Sequence, residues 1–135
     1  MVLAALTLTG VAVRPLAADA AELVMVEQAG CPYCERFDRE IAPAWPNTDE
    51  GRAAPLRRVD LHDDWPADLA AVERTDLTPT FILVEDGVER GRLVGYRGDE
   101  HFWFLVGELL ERLDAPTAGN APAAGDDAAP RPTER

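Results

Sequence analysis

The stretch Ala29-Gly30-Cys31-Pro32-Tyr33-Cys34-Glu35-Arg36-Phe37 holds the only two cysteines of the chain, with two residues between them, where the hydrophobic pattern changes period. Before it, residues 22–27 (Glu-Leu-Val-Met-Val-Glu) form an apolar run bounded by acids, the pattern of a buried central strand. After it, Cys34, Phe37, Asp38 and Ile41 recur at helical spacing. The chain therefore turns from strand to helix at the cysteines, which places Cys31 at a helix N-terminus. Unpaired backbone N–H groups and the positive end of the helix dipole favour a thiolate there, below the free thiol value of about 8.5. The chemistry this suggests is thiol–disulfide exchange. Cys31, the first and more exposed thiol, attacks a target disulfide; Cys34, one turn in, then attacks Cys31 and releases the reduced target. An inert disulfide and half of a zinc site remain open as alternatives. Zinc needs two further ligands, and the two histidines, His62 and His101, lack clustered ligand spacing. Neither a metal nor a cofactor is expected.

Two cysteines in 135 residues are too few for a disulfide-stapled scaffold and the right number for one redox pair. The formal net charge of -12 argues against nucleic acid or an anionic membrane surface as partner, since both repel such a protein. The first twenty residues resemble a secretory signal: residues 2–13 are apolar, Arg14 and Pro15 end the run, and Ala18-Asp19-Ala20 suits cleavage before Ala21. No basic residue separates Met1 from that run, so a start further upstream and a retained anchor both stay open. The expected organisation is a signal-like segment at 1–20, one domain at 21–114, and a disordered tail at 115–135 poor in large apolar residues.

Along the domain, Pro32 suits the first turn of a helix running to about residue 42, where Pro43 stops it. Residues 44–55 read as a connection with room for one helical turn. Residues 56–61 read as a strand whose Arg57 and Arg58 suit an edge position, and residues 66–74 as a short helix with Leu69 and Val72 on one face. Residues 80–84 (Thr-Phe-Ile-Leu-Val) are strand-like, Asp86-Gly87 is a hairpin turn, and residues 90–96 return. Asp99 can cap a last helix to about residue 113, with Phe102, Leu105, Val106, Leu109 and Leu113 as its apolar stripe. The order βαβαββα predicts an α/β fold, a mixed four-stranded sheet flanked by helices, with the cysteines at the carboxyl end of the first strand. Trp45, Trp65 and Trp103 read as packing residues.

With Cys31-Pro32-Tyr33-Cys34 after the first strand, Thr78-Pro79-Thr80 before the third, the Asp86-Gly87 hairpin and Gly95-Tyr96 closing the fourth, the chain resembles the thioredoxin superfamily over roughly residues 22–113. The Glu27-Gln28-Ala29-Gly30 lead-in and the Gly95-Tyr96-Arg97-Gly98 segment are most similar to the small periplasmic thioredoxins of bacterial sulfur-oxidation systems, the SoxS type. The resemblance implies a thioredoxin-like fold and a periplasmic oxidoreductase that keeps the thiol of a specific partner reduced. The implied partner is the sulfur carrier SoxYZ, and the implied electron source a membrane thiol transporter; a monomer is expected. It also implies a cis Thr78–Pro79 bond facing the cysteines, leaving the Thr78 backbone free to pair with an extended substrate segment. Pro32 and Tyr33 would set the redox poise. The same Cys-Pro-Tyr-Cys sequence occurs in glutaredoxins, so a potential between about -230 and about -270 mV is expected.

Two departures narrow the resemblance. General thioredoxins carry a Trp just before the first cysteine and a buried Asp in the preceding strand, where this chain has Gly30 and Met25. Glu27 could replace that Asp as proton acceptor, although a solvated strand-end acid is the plainer reading. Other functions weighed on the same residues are a glutathione-dependent, glutaredoxin-like enzyme, faintly echoed by Gly98-Asp99, and an oxidase or isomerase of secreted proteins. A non-enzymatic, chaperone-like binding module would keep its effect without the cysteines.

Overall fold

The sheet is assembled around β1 (Glu22–Glu27), whose Leu23, Val24, Met25 and Val26 are all buried, as a strand covered on both faces requires. In the computed structural model, which describes residues 21–114, β1 pairs in parallel with β2 (Leu56–Asp60) and antiparallel with β3 (Thr80–Glu85). β3 in turn pairs antiparallel with β4 (Val88–Val94), giving the strand order β2-β1-β3-β4. The expected signal-like segment and tail, residues 1–20 and 115–135, lie outside the described residues.

Period-two alternation splits the core in two. Leu23, Met25, Phe81 and Leu83 join the cluster formed with α1 (Pro32–Glu40) and α3 (Asp99–Asp114), which also contains both cysteines. Val24, Val26, Ile82 and Val84 face the other way and meet Val59, Leu69 and Val72. β2 is an edge strand, and its two arginines tie it to both layers. Arg57 pairs with Glu22 at 3.0 Å and Asp68 at 2.5 Å, whereas Arg58 pairs with Glu27 and with Asp38 of α1, each at 2.5 Å. Charge along this edge discourages pairing with a further strand.

Several elements differ from the sequence expectation. α1 ends at Glu40 rather than near residue 42, because Pro43 disfavours helical backbone at Ala42 and the Ala42 N–H instead bonds to the Phe37 carbonyl at 3.2 Å. The connection after it carries more structure than one turn: a 3-10 turn at Trp45–Asn47 and then α2 (Asp49–Ala53), capped by the Thr48 hydroxyl on the Gly51 N–H at 3.0 Å. Gly51 is needed here, since a Cβ on it would lie 1.7 Å from the Trp45 carbonyl oxygen.

The helix expected at 66–74 is reduced to a 3-10 turn at Ala67–Leu69. The Leu69 carbonyl accepts the Val72 N–H at 2.9 Å and the Trp65 indole N–H at 2.8 Å, so no acceptor is left for an α-helical bond from Glu73. Leu69 and Val72 are buried together all the same. β4 begins at Val88, earlier than expected, after a turn in which Asp86 and Gly87 both take positive φ. It ends at Val94, and Arg90 is the extra residue of a bulge, since Leu83 pairs with Gly91 while Val84 pairs with Glu89. Asp99 is the first residue of α3 rather than its cap, and the Gly98 carbonyl accepts the Phe102 N–H at 3.0 Å.

Candidate active site

β1 runs into the cysteines through a turn in which Gly30 adopts φ 73°, a left-handed conformation that a Trp side chain would strain. This is a local reason for the Gly before Cys31. Cys31 is the N-cap of α1, with extended backbone (φ -83°, ψ 108°), and Pro32 follows at the first helical position, where its missing N–H costs nothing. The Cys31 sulfur accepts the Cys34 N–H at 3.2 Å, so a backbone donor of the first turn already points at it. A disulfide joins Cys31 to Cys34, whose Cα atoms are 5.3 Å apart.

The exposure difference expected between the two sulfurs is not present in this disulfide form. Cys31 is 5% exposed and Cys34 4%. In this form Cys31 belongs to the same apolar cluster as Cys34, Met25 and Phe37. What separates the two residues is position. Cys31 caps the helix and receives its N–H, while Cys34 lies inside it.

At the same end of the sheet runs the loop before β3, where the Thr78–Pro79 peptide is cis. This loop is pinned at three points. The buried Thr80 hydroxyl donates to the Leu77 carbonyl at 2.7 Å, the Gly95 N–H donates to the Pro79 carbonyl at 2.7 Å, and the Gln28 Nε2 donates to the Thr78 Oγ1 at 3.0 Å. Among the described residues no backbone hydrogen bond uses the N–H or carbonyl of Thr78. Beside the loop, Tyr33, Leu77, Thr78, Val94, Gly95, Tyr96 and Arg97 line a groove of about 340 Å³. Tyr33, Leu77 and Val94 are each more than half exposed, an unusual concentration of apolar surface.

Glu27 lies at the end of β1 with its carboxylate paired to Arg58. Met25, at the place of the buried Asp of general thioredoxins, is fully buried in the cysteine cluster. The three tryptophans pack. Trp45 is buried, donates to the Ala54 carbonyl at 3.1 Å and stacks on Trp103 at 5.7 Å, and Trp65 is partly buried in the opposite cluster.

The contacts of three side chains near the site, Gln28, Glu40 and Tyr96, were not read from the sequence, although Gln28 and Tyr96 carry part of the family resemblance. Gln28 bridges β1 to Thr78 and to His62, whose Nε2 lies 3.2 Å from the Gln28 Oε1. Tyr96 donates to the Glu40 Oε2 at 2.7 Å, and Arg36 holds the other oxygen at 2.8 Å while lying over the Tyr96 ring. The Tyr96 bond, and then Arg36, hold the Glu40 carboxyl below its ordinary value; burial, and then Glu40, push the Tyr96 hydroxyl above its own. The signal for Gln28 was its place three residues before Cys31. For Glu40 and Tyr96, 56 residues apart, the sequence held none. Among the described residues no cluster of three or more His, Cys, Asp and Glu is placed to hold a metal ion.

A family profile described as a thioredoxin-like domain matches residues 17–109. The crystal structure of the reduced periplasmic thioredoxin SoxS from Paracoccus pantotrophus is 46% identical, with a TM-score of 0.66, covering 69% of this chain and 98% of that one. Trxlp from Edwardsiella tarda is 26% identical with a TM-score of 0.50, covering 67% and 84%. The Malassezia sympodialis thioredoxin Mala s 13, at 16% identity and a TM-score of 0.51 over 69% and 77%, is alike in fold. A comparison with curated protein sequences gives no significant match.

Proposed function

The chain belongs to the thioredoxin-like family and is a thiol–disulfide oxidoreductase, and from that premise we propose that it acts in the periplasm to reduce a disulfide of a specific partner protein through Cys31 and Cys34. The observation that carries the reading is the N-cap geometry: the Cys31 sulfur takes the Cys34 N–H and is disulfide-bonded to the residue that supplies it. A donor that stabilises negative charge on one sulfur, with a second thiol in bonding range, is what two-step exchange requires.

In the first step the Cys31 thiolate attacks a sulfur of the partner disulfide, forming a Cys31–partner bond and expelling the partner's other thiolate. In the second, Cys34 loses its proton and attacks the Cys31 sulfur; the intramolecular disulfide forms and the remaining partner thiolate leaves. Two electrons pass to the partner, and its two thiolates take up two protons. We keep Glu27, at the end of β1 with its carboxylate paired to Arg58, as the proposed proton acceptor for Cys34, with a solvated strand-end acid as the alternative role. Pro32 and Tyr33 shape the approach to Cys31, and Thr78 and Pro79 receive an extended partner segment along the groove with the exposed Tyr33, Leu77 and Val94. The unengaged backbone of Thr78 supports that docking mode.

Similarity to a periplasmic thioredoxin supports export; we further propose a domain over residues 21–114, the sulfur carrier SoxYZ as partner and a membrane thiol transporter as the source of electrons. Among the described residues no helix is long and apolar enough to cross a membrane. The test is a Cys34→Ser variant expressed in the native compartment. It should accumulate a mixed disulfide between Cys31 and a cysteine of one partner protein, identified by mass. A glutathione adduct instead would favour the glutaredoxin-like reading, and no adduct under mild oxidant would overturn both.

A further inference from the structure

The exchange chemistry leaves Gln28 without a task, yet this side chain is the hub of the site's polar contacts. It leaves the end of β1 three residues before Cys31 and is half-buried. Its Nε2 reaches the Thr78 Oγ1 at 3.0 Å, and its Oε1 lies 3.2 Å from the Nε2 of His62 in the loop after β2. Since β1 and β2 are parallel and β3 runs against them, the three loops it joins all lie at one end of the sheet, the end that carries the disulfide. The bridge suits either orientation of the amide, because a hydroxyl and an imidazole nitrogen can each donate or accept.

Thr78 is held differently from its neighbours. The Thr80 hydroxyl fixes Leu77 and the Gly95 N–H fixes Pro79, both through carbonyl oxygens. Thr78 itself, whose N–H and carbonyl make no backbone hydrogen bond among the described residues, is anchored by its side chain to Gln28. We propose that Gln28 is a positioning residue for substrate docking: backed by His62, it fixes the orientation of Thr78 so that its free backbone groups meet an incoming extended segment. This rests on the docking mode proposed above and deepens it. The residue adds nothing to the sulfur chemistry and acts on recognition alone.

The test compares two substrates with the same leaving group. One is an extended peptide whose cysteine is linked to thionitrobenzoate, the other N-acetylcysteine linked in the same way. Gln28→Leu keeps the bulk and loses both hydrogen bonds, whereas Gln28→Glu keeps acceptors for the Thr78 hydroxyl and a His62 N–H. For the peptide, Gln28→Leu should raise KM about five- to tenfold with kcat changed less than about twofold, as the loss of one or two hydrogen bonds predicts. For N-acetylcysteine its kcat/KM should move less than about twofold, and Gln28→Glu should restore most of the peptide KM. His62→Ala, at an exposed position, should give a smaller rise in the same KM, and serves if Gln28→Leu folds poorly. A wild-type preference for the peptide that survives Gln28→Leu and His62→Ala would overturn this inference alone. An equal loss on both substrates would overturn it too, since Gln28 would then be acting on the disulfide. Equal KM of the wild type on the two substrates would overturn the docking reading together with the inference.

Discussion

The two faces of the sheet bury their apolar residues in different ways. On the disulfide side Phe37, Phe81, Tyr96 and Phe102 meet edge-to-face or tilted, with ring centroids 4.7 to 5.9 Å apart, under the regular helices α1 and α3. On the other side lie Val24, Val26, Val59, Leu69, Val72, Ile82 and Val84, an aliphatic layer covered by a 3-10 turn and loops. The contrast shows where the fold invests its rigidity. Aromatic rings fix neighbouring orientations as well as burying area, and the disulfide hangs from that rigid layer through Cys34 and Phe37, one turn apart on α1. Among the described residues the aliphatic layer meets a 3-10 turn and loops where the aromatic layer meets regular helices.

This contrast can be broken by experiment. Phe102 touches Phe37, Phe81, Tyr96, Trp45 and Trp103, so Phe102→Ala should lose about 3–5 kcal/mol of unfolding free energy. Val72→Ala on the opposite face should lose only about 1–2 kcal/mol, the transfer value of two methyl groups. Urea unfolding of both variants decides it, and equal losses would mean that the two layers are energetically alike.

A second substitution sharpens the picture at the rim of the aromatic layer. Gly51→Ala would drive a methyl group into the Trp45 carbonyl, which is main chain and cannot turn aside. An overpacking loss of about 1–3 kcal/mol should follow, together with a red-shifted Trp emission as Trp45 is displaced. A stability within experimental error of wild type would show that α2 slides freely.

The smallest effect concerns pH and belongs to the disulfide face alone. Because Glu40 is held below its ordinary value of 4.5, its contribution is complete above that value and is lost as pH falls through the depressed one. Tyr96 is held above its ordinary value of 10.0, so its contribution is complete below that value and is lost as alkaline pH approaches the raised one. Tyr96→Phe removes the leading cause of the Glu40 shift. Carboxyl NMR should then show Glu40 titrating closer to 4.5, with a shallower acid limb in the stability profile. An unmoved Glu40 would assign its shift to Arg36 alone.

The strands, the hairpin and the last helix were legible in the sequence because each is announced locally, by alternation, by Asp86-Gly87 or by the stripe from Phe102 to Leu113. The helix expected at 66–74 failed for a reason that is local but invisible to hydrophobic period: the Trp65 indole, four residues before Leu69, takes a carbonyl that the helix would have used. The cysteines were found because their spacing and their strand-to-helix setting are local too. Gln28 was missed as a partner of Thr78, since their contact joins residues 50 apart.

By itself, the sequence determined that a cysteine pair would open a helix after a buried strand, and with it the redox character of the protein, because N-capping and hydrophobic period act within a few residues. Only the tertiary structure decided how the loops around that pair are tied together. The tether of the Thr78–Pro79 loop to Gln28 and the Tyr96–Glu40 contact arise when strands distant along the chain are brought side by side, and their geometry exists only once the sheet has closed.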